Sequence, residues 1–250
     1  MRIALALLGG CALLGGCALL GGCVAAPETV DPADYTAFWL WPGVPASPAL
    51  AKAHEVFLLD SELSRDGHMR VLRPEVPRLR RTPVWLVVRV ETLDWSPQVE
   101  AAVLARLERW RAAGGTVAGL QVDFDATTRH LDRYAAFLRE LRQRLPARYK
   151  LSITGLLDWS ANGDPAALAS LRGVVDEVVL QTYQARTTIP GYAAYFRTIA
   201  ALPLPFRIGL VEGGEWHAPP QLAAAPNFRG YVVFLLKPRG PADRGRQLSH

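Results

Sequence analysis

The chain has 250 residues, half of them hydrophobic and 20% charged. That suffices for one domain with a substantial core, at a length that α/β barrels often use as a single domain. The net charge of +5 comes mostly from scattered arginines, apart from Arg78, Arg80 and Arg81 and a basic tail of Lys237, Arg239, Arg244 and Arg246; with neither a basic stripe nor a reading motif, a nucleic-acid partner is not expected.

At the N-terminus, Arg2 precedes residues 6–23, which are consecutive copies of Ala-Leu-Leu-Gly-Gly-Cys ending at Cys11, Cys17 and Cys23. A positive residue, an apolar run and small residues before a cysteine outline a secretory signal. The paired glycines argue against a membrane-spanning helix, which needs about 20 strongly apolar residues. The Leu-Gly-Gly-Cys ending resembles a bacterial lipobox, in which the Cys becomes lipidated; an ordinary signal peptide or an anchor is the alternative. Residues 1–23 therefore read as a lipoprotein-type signal peptide. Cys23 is the lipidation candidate and Cys17 the second, because a cut at Cys11 leaves too short an apolar region. Residues 24–34 read as a tether and 35–250 as the folded domain. No candidate Cys is followed by Asp, and by resemblance to sorting rules this implies an outer-membrane protein facing the periplasm, held to the membrane by a lipid anchor. All cysteines lie in this leader, so the domain has no disulfide and no Cys-based metal site.

Eight strands follow as short apolar or alternating runs: Ala37–Trp41, Val56–Asp60, Val84–Glu91, Val117–Asp125, Lys150–Gly155, Glu177–Tyr183, Phe206–Glu212 and Gly230–Leu236. Helical patterns lie between several of them. Ser96-Pro97 opens one as N-cap and first residue, and Gly114-Gly115 closes it. The next runs from about Arg129 to Leu145. Ala166–Leu171 and Tyr192–Leu202 are shorter, and Gln221–Ala225 is weak. Between Asp60 and Thr82 no helix is legible, and the Pro-rich run Arg73–Pro83 reads as a loop. Strands alternating with helices imply parallel pairing, and eight such units in this length fit an α/β fold, a small single-domain (β/α)8 TIM-type barrel. A doubly wound open sheet is the alternative, but no glycine-rich nucleotide fingerprint appears.

Active residues of such a barrel sit at the C-terminal ends of its strands. Those ends carry Trp39 and Trp41, Asp60, Arg89 and Glu91, Asp123 and Asp125, Asp158 and Trp159, Gln181 and Tyr183, and Glu212, Glu215 and Trp216. Carboxylates, Tyr and Trp on one rim compose a sugar-binding cleft: Trp faces stack on sugar rings and carboxylates run acid–base chemistry on glycosidic bonds. Within Gly119-Leu120-Gln121-Val122-Asp123-Phe124-Asp125, alternation puts Gln121, Asp123 and Asp125 on one strand face. Arg89 is either a substrate clamp or the salt-bridge partner of Asp123. Asp125 and Glu212 form a possible acid–nucleophile pair across the barrel. The histidines show no ligand spacing, and no metal, cofactor or obligate protein partner is expected.

The 119–125 segment resembles the fourth-strand signature of family 18 glycoside hydrolases, the chitinase-like barrels: Gly, apolar, Asp, apolar, Asp, aromatic, Glu. The resemblance implies that Asp123 orients a substrate acetamido group and that Asp125 stands where the catalytic acid Glu does, one methylene shorter. Gln121 replaces the first Asp. Gln181-Thr182-Tyr183-Gln184 is similar to that family's sixth-strand motif, which implies a supporting role for Tyr183 on the acetamido group. Arg207-Ile208-Gly209-Leu210 is similar to its seventh-strand segment, and the whole chain resembles the secreted bacterial proteins grouped as domain of unknown function 3142.

The expectation is a cell-envelope lipoprotein, glycoside hydrolase-like, acting on a glycan with or without N-acetylated sugars. Asp125, Asp123 and Tyr183 are the catalytic candidates, and Gln121, Gln181, Arg89, Glu212, Trp39 and Trp41 the substrate-binding ones. The alternative is a non-catalytic carbohydrate-binding or structural envelope lipoprotein with a degenerate site.

Overall fold

The computed structural model describes residues 28–237 apart from Arg78 and Arg80. The leader, Cys23 and the end of the basic tail lie outside the described residues. Among the described residues, no helix is long and apolar enough to cross a membrane.

Eight parallel strands close into a barrel: β1 (Ala37–Leu40), β2 (Glu55–Leu63), β3 (Val84–Val90), β4 (Val117–Asp123), β5 (Lys150–Leu156), β6 (Glu177–Gln181), β7 (Phe206–Val211) and β8 (Phe228–Leu235). Each strand pairs with its neighbours in sequence, and β8 closes on β1 with Phe234 opposite Trp39. This is the (β/α)8 barrel that the alternating pattern predicts. Outward residues such as Phe38, Leu58 and Leu86 join the helical layer in one apolar cluster. Inward residues, including Phe57, Trp85, Val87 and Phe234, form a second cluster inside the barrel.

The helical layer is uneven. Helix α1 (Pro97–Ala112) starts where Ser96 accepts the Val99 N–H at 3.3 Å, with Pro97 in the first turn. It buries Val99, Val103, Leu107 and Trp110 on one face. Helix α2 (Leu131–Arg144) follows a 3-10 turn, and α3 (Trp159–Asn162) and α4 (Pro165–Ser170) complete the α-helices. Tyr192–Ala201, expected as a helix, winds as a 3-10 helix that starts at left-handed Gly191 without a side-chain cap. The weak Gln221–Ala225 signal reduces to a 3-10 turn at Pro220–Leu222. Between Asp60 and Thr82, β2 runs on to Leu63 and turns into an antiparallel strand, Met69–Val71.

Residues 28–34, expected within a tether over 24–34, are ordered on the domain. Glu28–Thr29 pairs antiparallel with Glu215–Trp216, Val30 is buried, and Asp31 caps a 3-10 turn over Pro32–Asp34. Residues 28–34 thus belong to the folded domain.

The barrel interior is bonded as well as packed. Trp39 Nε1 donates to Gln121 Oε1 at 2.8 Å, Gln121 Nε2 to Ser152 Oγ at 3.0 Å, and Ser152 Oγ to Glu177 Oε1 at 3.2 Å. Arg207 joins Glu177 at 2.9 Å to Glu55 at 2.5 Å, and Trp85 Nε1 donates to Glu55 Oε2 at 2.9 Å. The chain of bonds touches every strand except β8. A buried network this complete fixes strand register because any slip strands a polar group. Gly119 marks the closest backbone approach: a Cβ there would sit 2.0 Å from the Lys150 carbonyl oxygen.

This network corrects two expectations. Trp39 and Gln121 have no exposed surface and bond each other inside the barrel, so neither contacts a ligand. The polar residue at 121 belongs to the floor beneath the cleft. Gln121→Leu leaves the Trp39 indole and the Ser152 hydroxyl short of partners. It is expected to destabilise the fold by about 1–3 kcal/mol, read as a lower urea midpoint at unchanged slope.

Candidate functional site

The strands deliver their last side chains to one cleft of about 630 Å³ at the C-terminal end of the barrel. Trp41, Arg89, Asp123, Asp125, Gln181 and Tyr183 all line it, so six of the sequence-predicted residues converge. Thr127, Leu156, Gln184, Ala185, Ile189, Phe234 and Leu236 complete the lining. Of these, Phe234 had a readable signal, as an aromatic at a strand end. Gln184 and Ala185 come from a hairpin, Tyr183–Gln184 against Thr187–Thr188, that the sequence did not announce.

Strand β4 ends at Asp123, two residues before the alternation predicts. Beyond it the backbone turns, with the Ala126 N–H bonded to the Phe124 carbonyl at 2.8 Å. Phe124 packs against Tyr134 of α2, ring centroids 5.2 Å apart, and Asp125 enters the cleft from a loop, exposed. Asp123 points up from the strand with 7% of its surface exposed. Its Oδ1 accepts the Thr154 hydroxyl at 2.8 Å.

Burial pushes the Asp123 carboxyl up to about 6, and the neighbouring charges of Asp125 and Glu62 add to this; the Thr154 hydrogen bond and Arg89 oppose it. Burial also lifts the Tyr183 hydroxyl well above its ordinary value, with the charge of Asp123 adding. Tyr183 is therefore a neutral hydrogen-bond donor at any physiological pH. Its ring rests on Phe234, centroids 4.9 Å apart, and Phe234 stacks on Trp39 at 5.0 Å. Trp41 meets Trp39 edge-on at 4.8 Å and carries the Arg89 guanidinium 5.3 Å above its ring. The cleft thus has an aromatic floor and a carboxylate wall.

A raised carboxyl has a stability signature. The folded protein holds the Asp123 proton more tightly than the unfolded chain between the ordinary value near 4 and about 6. Stability from this group is therefore complete below that window and lost as pH rises through it. Asp123→Asn keeps an acceptor for Thr154 and removes the charge. It is expected to stabilise the fold at pH 8 by about 2–3 kcal/mol and to give no gain at pH 4. Urea unfolding at both pH values checks this; equal stabilities at pH 8 would contradict it.

Glu212 does not reach the cleft: its Oε2 accepts the Leu236 N–H at 2.7 Å, fastening β7 to the exit of β8. The pairing of Asp125 with Glu212 as acid and nucleophile is not what the geometry offers. Arg89 makes no ion pair with Asp123: no carboxylate of the described residues lies within 4.0 Å of it. Trp216 stacks on Tyr192, centroids 4.8 Å apart, and Trp159 bonds the Ala126 carbonyl, so both serve packing. Among the described residues, no three His, Cys, Asp or Glu side chains gather as a metal-binding group.

The closed parallel barrel, with these side chains at its strand ends, is a (β/α)8 barrel of the TIM type. Within it, residues 80–200, from the approach to β3 through the 3-10 helix after β6, match the family model described as a domain of unknown function, DUF3142. No curated protein matches the sequence. Among solved structures, a xylanase-alpha-amylase inhibitor protein, XAIP-I, crystallised with trehalose, aligns with a TM-score of 0.52 at 9% identity, over 80% of this chain and 92% of that one. The tamarind chitinase-like lectin aligns with a TM-score of 0.50 at 12% identity, over 80% and 94%. The Bacillus cereus spore cortex-lytic enzyme SleL gives 0.47 at 18% identity over 70% of this chain, which spans 50% of that enzyme's length. At such identities the likeness is one of fold.

Proposed function

We propose that this protein is an envelope lipoprotein whose cleft binds a glycan and cleaves it by carboxylate general-acid chemistry. The observation that carries the reading is the convergence of Asp123, Asp125 and Tyr183 on one cleft floored by Trp41 and Phe234. A sugar ring lies against the aromatic floor. Above pH 6 the ionised Asp123 accepts the N–H of an acetamido group, and the Tyr183 hydroxyl donates to its carbonyl. Asp125 gives its proton to the glycosidic oxygen as the bond from that oxygen to the anomeric carbon breaks. The acetamido oxygen closes onto the anomeric carbon, and water later opens the ring, returning the proton to Asp125. The lipid anchor at Cys23 and the periplasmic face of the outer membrane would place this cleft among envelope glycans.

A second reading, binding without turnover, rests on two observations. Asp125 stands on an exposed loop one methylene short of a Glu, and Glu212 is turned away to the β8 backbone. The lectin and inhibitor names of the two structures of this fold also favour it.

One experiment separates them. The purified protein is incubated with N-acetylated and non-acetylated oligosaccharides, and new reducing ends and calorimetric binding are both read. New reducing ends from N-acetylated chains support the enzyme. Saturable binding without them supports the binding module. Neither binding nor cleavage would overturn the glycan reading.

A further inference from the structure

Arg89 stands in the wall between two depressions. One is the cleft over Asp123. The other, of about 360 Å³, is lined by Glu62, Leu63, Ser64, His68, Arg70 and Glu91 together with Arg89 itself. Strand register explains the position: Glu62 of β2, Arg89 of β3 and Asp123 of β4 are successive partners across the sheet. Among the described residues, Arg89 is therefore the cation that lines both hollows.

Among the described residues, no hydrogen bond or ion pair uses its donors. The nearby carboxylates have partners of their own. Glu62 is bridged to Arg70 at 2.5 Å, Glu91 accepts the Arg65 N–H at 3.2 Å, and Asp123 accepts from Thr154. The Arg89 guanidinium lies over the face of Trp41, 5.3 Å from the ring centroid. Stacking of this kind fixes the plane of the guanidinium and leaves its N–H edge free. A half-buried guanidinium with its donors unmet is a poor structural group and a good anion receptor, since bidentate Arg–carboxylate bonds are among the strongest available.

We infer that Arg89 is a carboxylate clamp and that the glycan taken by the cleft is acidic, carrying a carboxyl group at the junction of the two depressions. The inference rests on the glycan reading above and names its substrate class. A carboxylate fits better than a phosphate ester. The second negative charge of a phosphate ester would face Asp123 and Asp125, with no cation besides Arg89 in the cleft lining. The second depression gives the chain a place to continue past the clamp, so the ligand is an oligosaccharide rather than one sugar.

The test is calorimetry with oligosaccharides of alternating glucuronate and N-acetylglucosamine, set against the same chains with their carboxyls reduced to alcohols. Wild type is expected to bind the acidic form about tenfold tighter or more at low salt, with the gap narrowing at high salt. Arg89→Gln erases the preference by weakening only the acidic form, and Arg89→Lys retains part of it. The variants are compared with their unfolding midpoints measured alongside, since Arg89 contacts the Trp41 ring. Equal affinity of wild type for both forms, or equal weakening of both in Arg89→Gln, overturns the clamp and leaves the glycan reading standing. Failure of wild type to bind either form overturns both.

Discussion

Asp125→Asn is expected to lower glycan turnover by about 10²–10⁴-fold, the usual worth of a positioned general acid, with binding changed little. Asn has the shape of Asp and no proton to give. Asp125 is exposed on the loop after β4 and makes no hydrogen bond among the described residues, so its replacement removes chemistry without removing structure. The measurement is release of reducing ends by wild type and variant at matched binding occupancy. Equal turnover would remove Asp125 from the mechanism. Asp125→Glu restores the missing methylene, and retained or increased turnover would show that the acid can work from further into the cleft.

Asp60→Ala is expected to cost about 3–5 kcal/mol of stability, the penalty for stripping one partner from a buried ion pair. Asp60 is fully buried and grips Arg106 of α1 with both oxygens, the Nε contact at 2.5 Å. Arg106 also donates to the Arg73 carbonyl at 2.6 Å, so the pair ties β2, α1 and the Arg73–Pro83 loop together. The alanine variant leaves the guanidinium buried and uncompensated. A urea midpoint within a few tenths of a kcal/mol of wild type would show that the Arg106 charge finds water at little cost.

The same residue shows where sequence reading stops. As the last residue of the run Val56–Asp60, Asp60 was expected at the rim, among the strand-end residues. In the structure the β2–β3 register shifts between Leu59 and Ser61, leaving Asp60 as the extra residue. Asp60 follows inward Leu59 and faces outward to α1, and the inserted residue reverses the parity of what comes after it, so Glu62, which no pattern singled out, stands beside Arg89. The eight strands were legible because each carries a short apolar run with turn residues at its ends. The α1 boundary was legible because Ser96, Pro97 and Gly114 are local signals. Which polar residues look at the cleft was only partly legible. Gln121 and Asp123 share a strand face two residues apart, yet one is sealed by Trp39 and Ser152 and the other opens to solvent. The partners that decide this come from strands far away in sequence. Glu212 failed for the same reason, since the Leu236 N–H that claims it lies just past the end of β8.

A crystal structure with an N-acetylated oligosaccharide tests the site itself. The sugar ring is expected against Trp41 and Phe234, its acetamido group within hydrogen-bond reach of Asp123 and Tyr183, and a glycosidic oxygen facing Asp125. A chain seated elsewhere on the barrel, with Asp123 and Tyr183 untouched, would contradict the account.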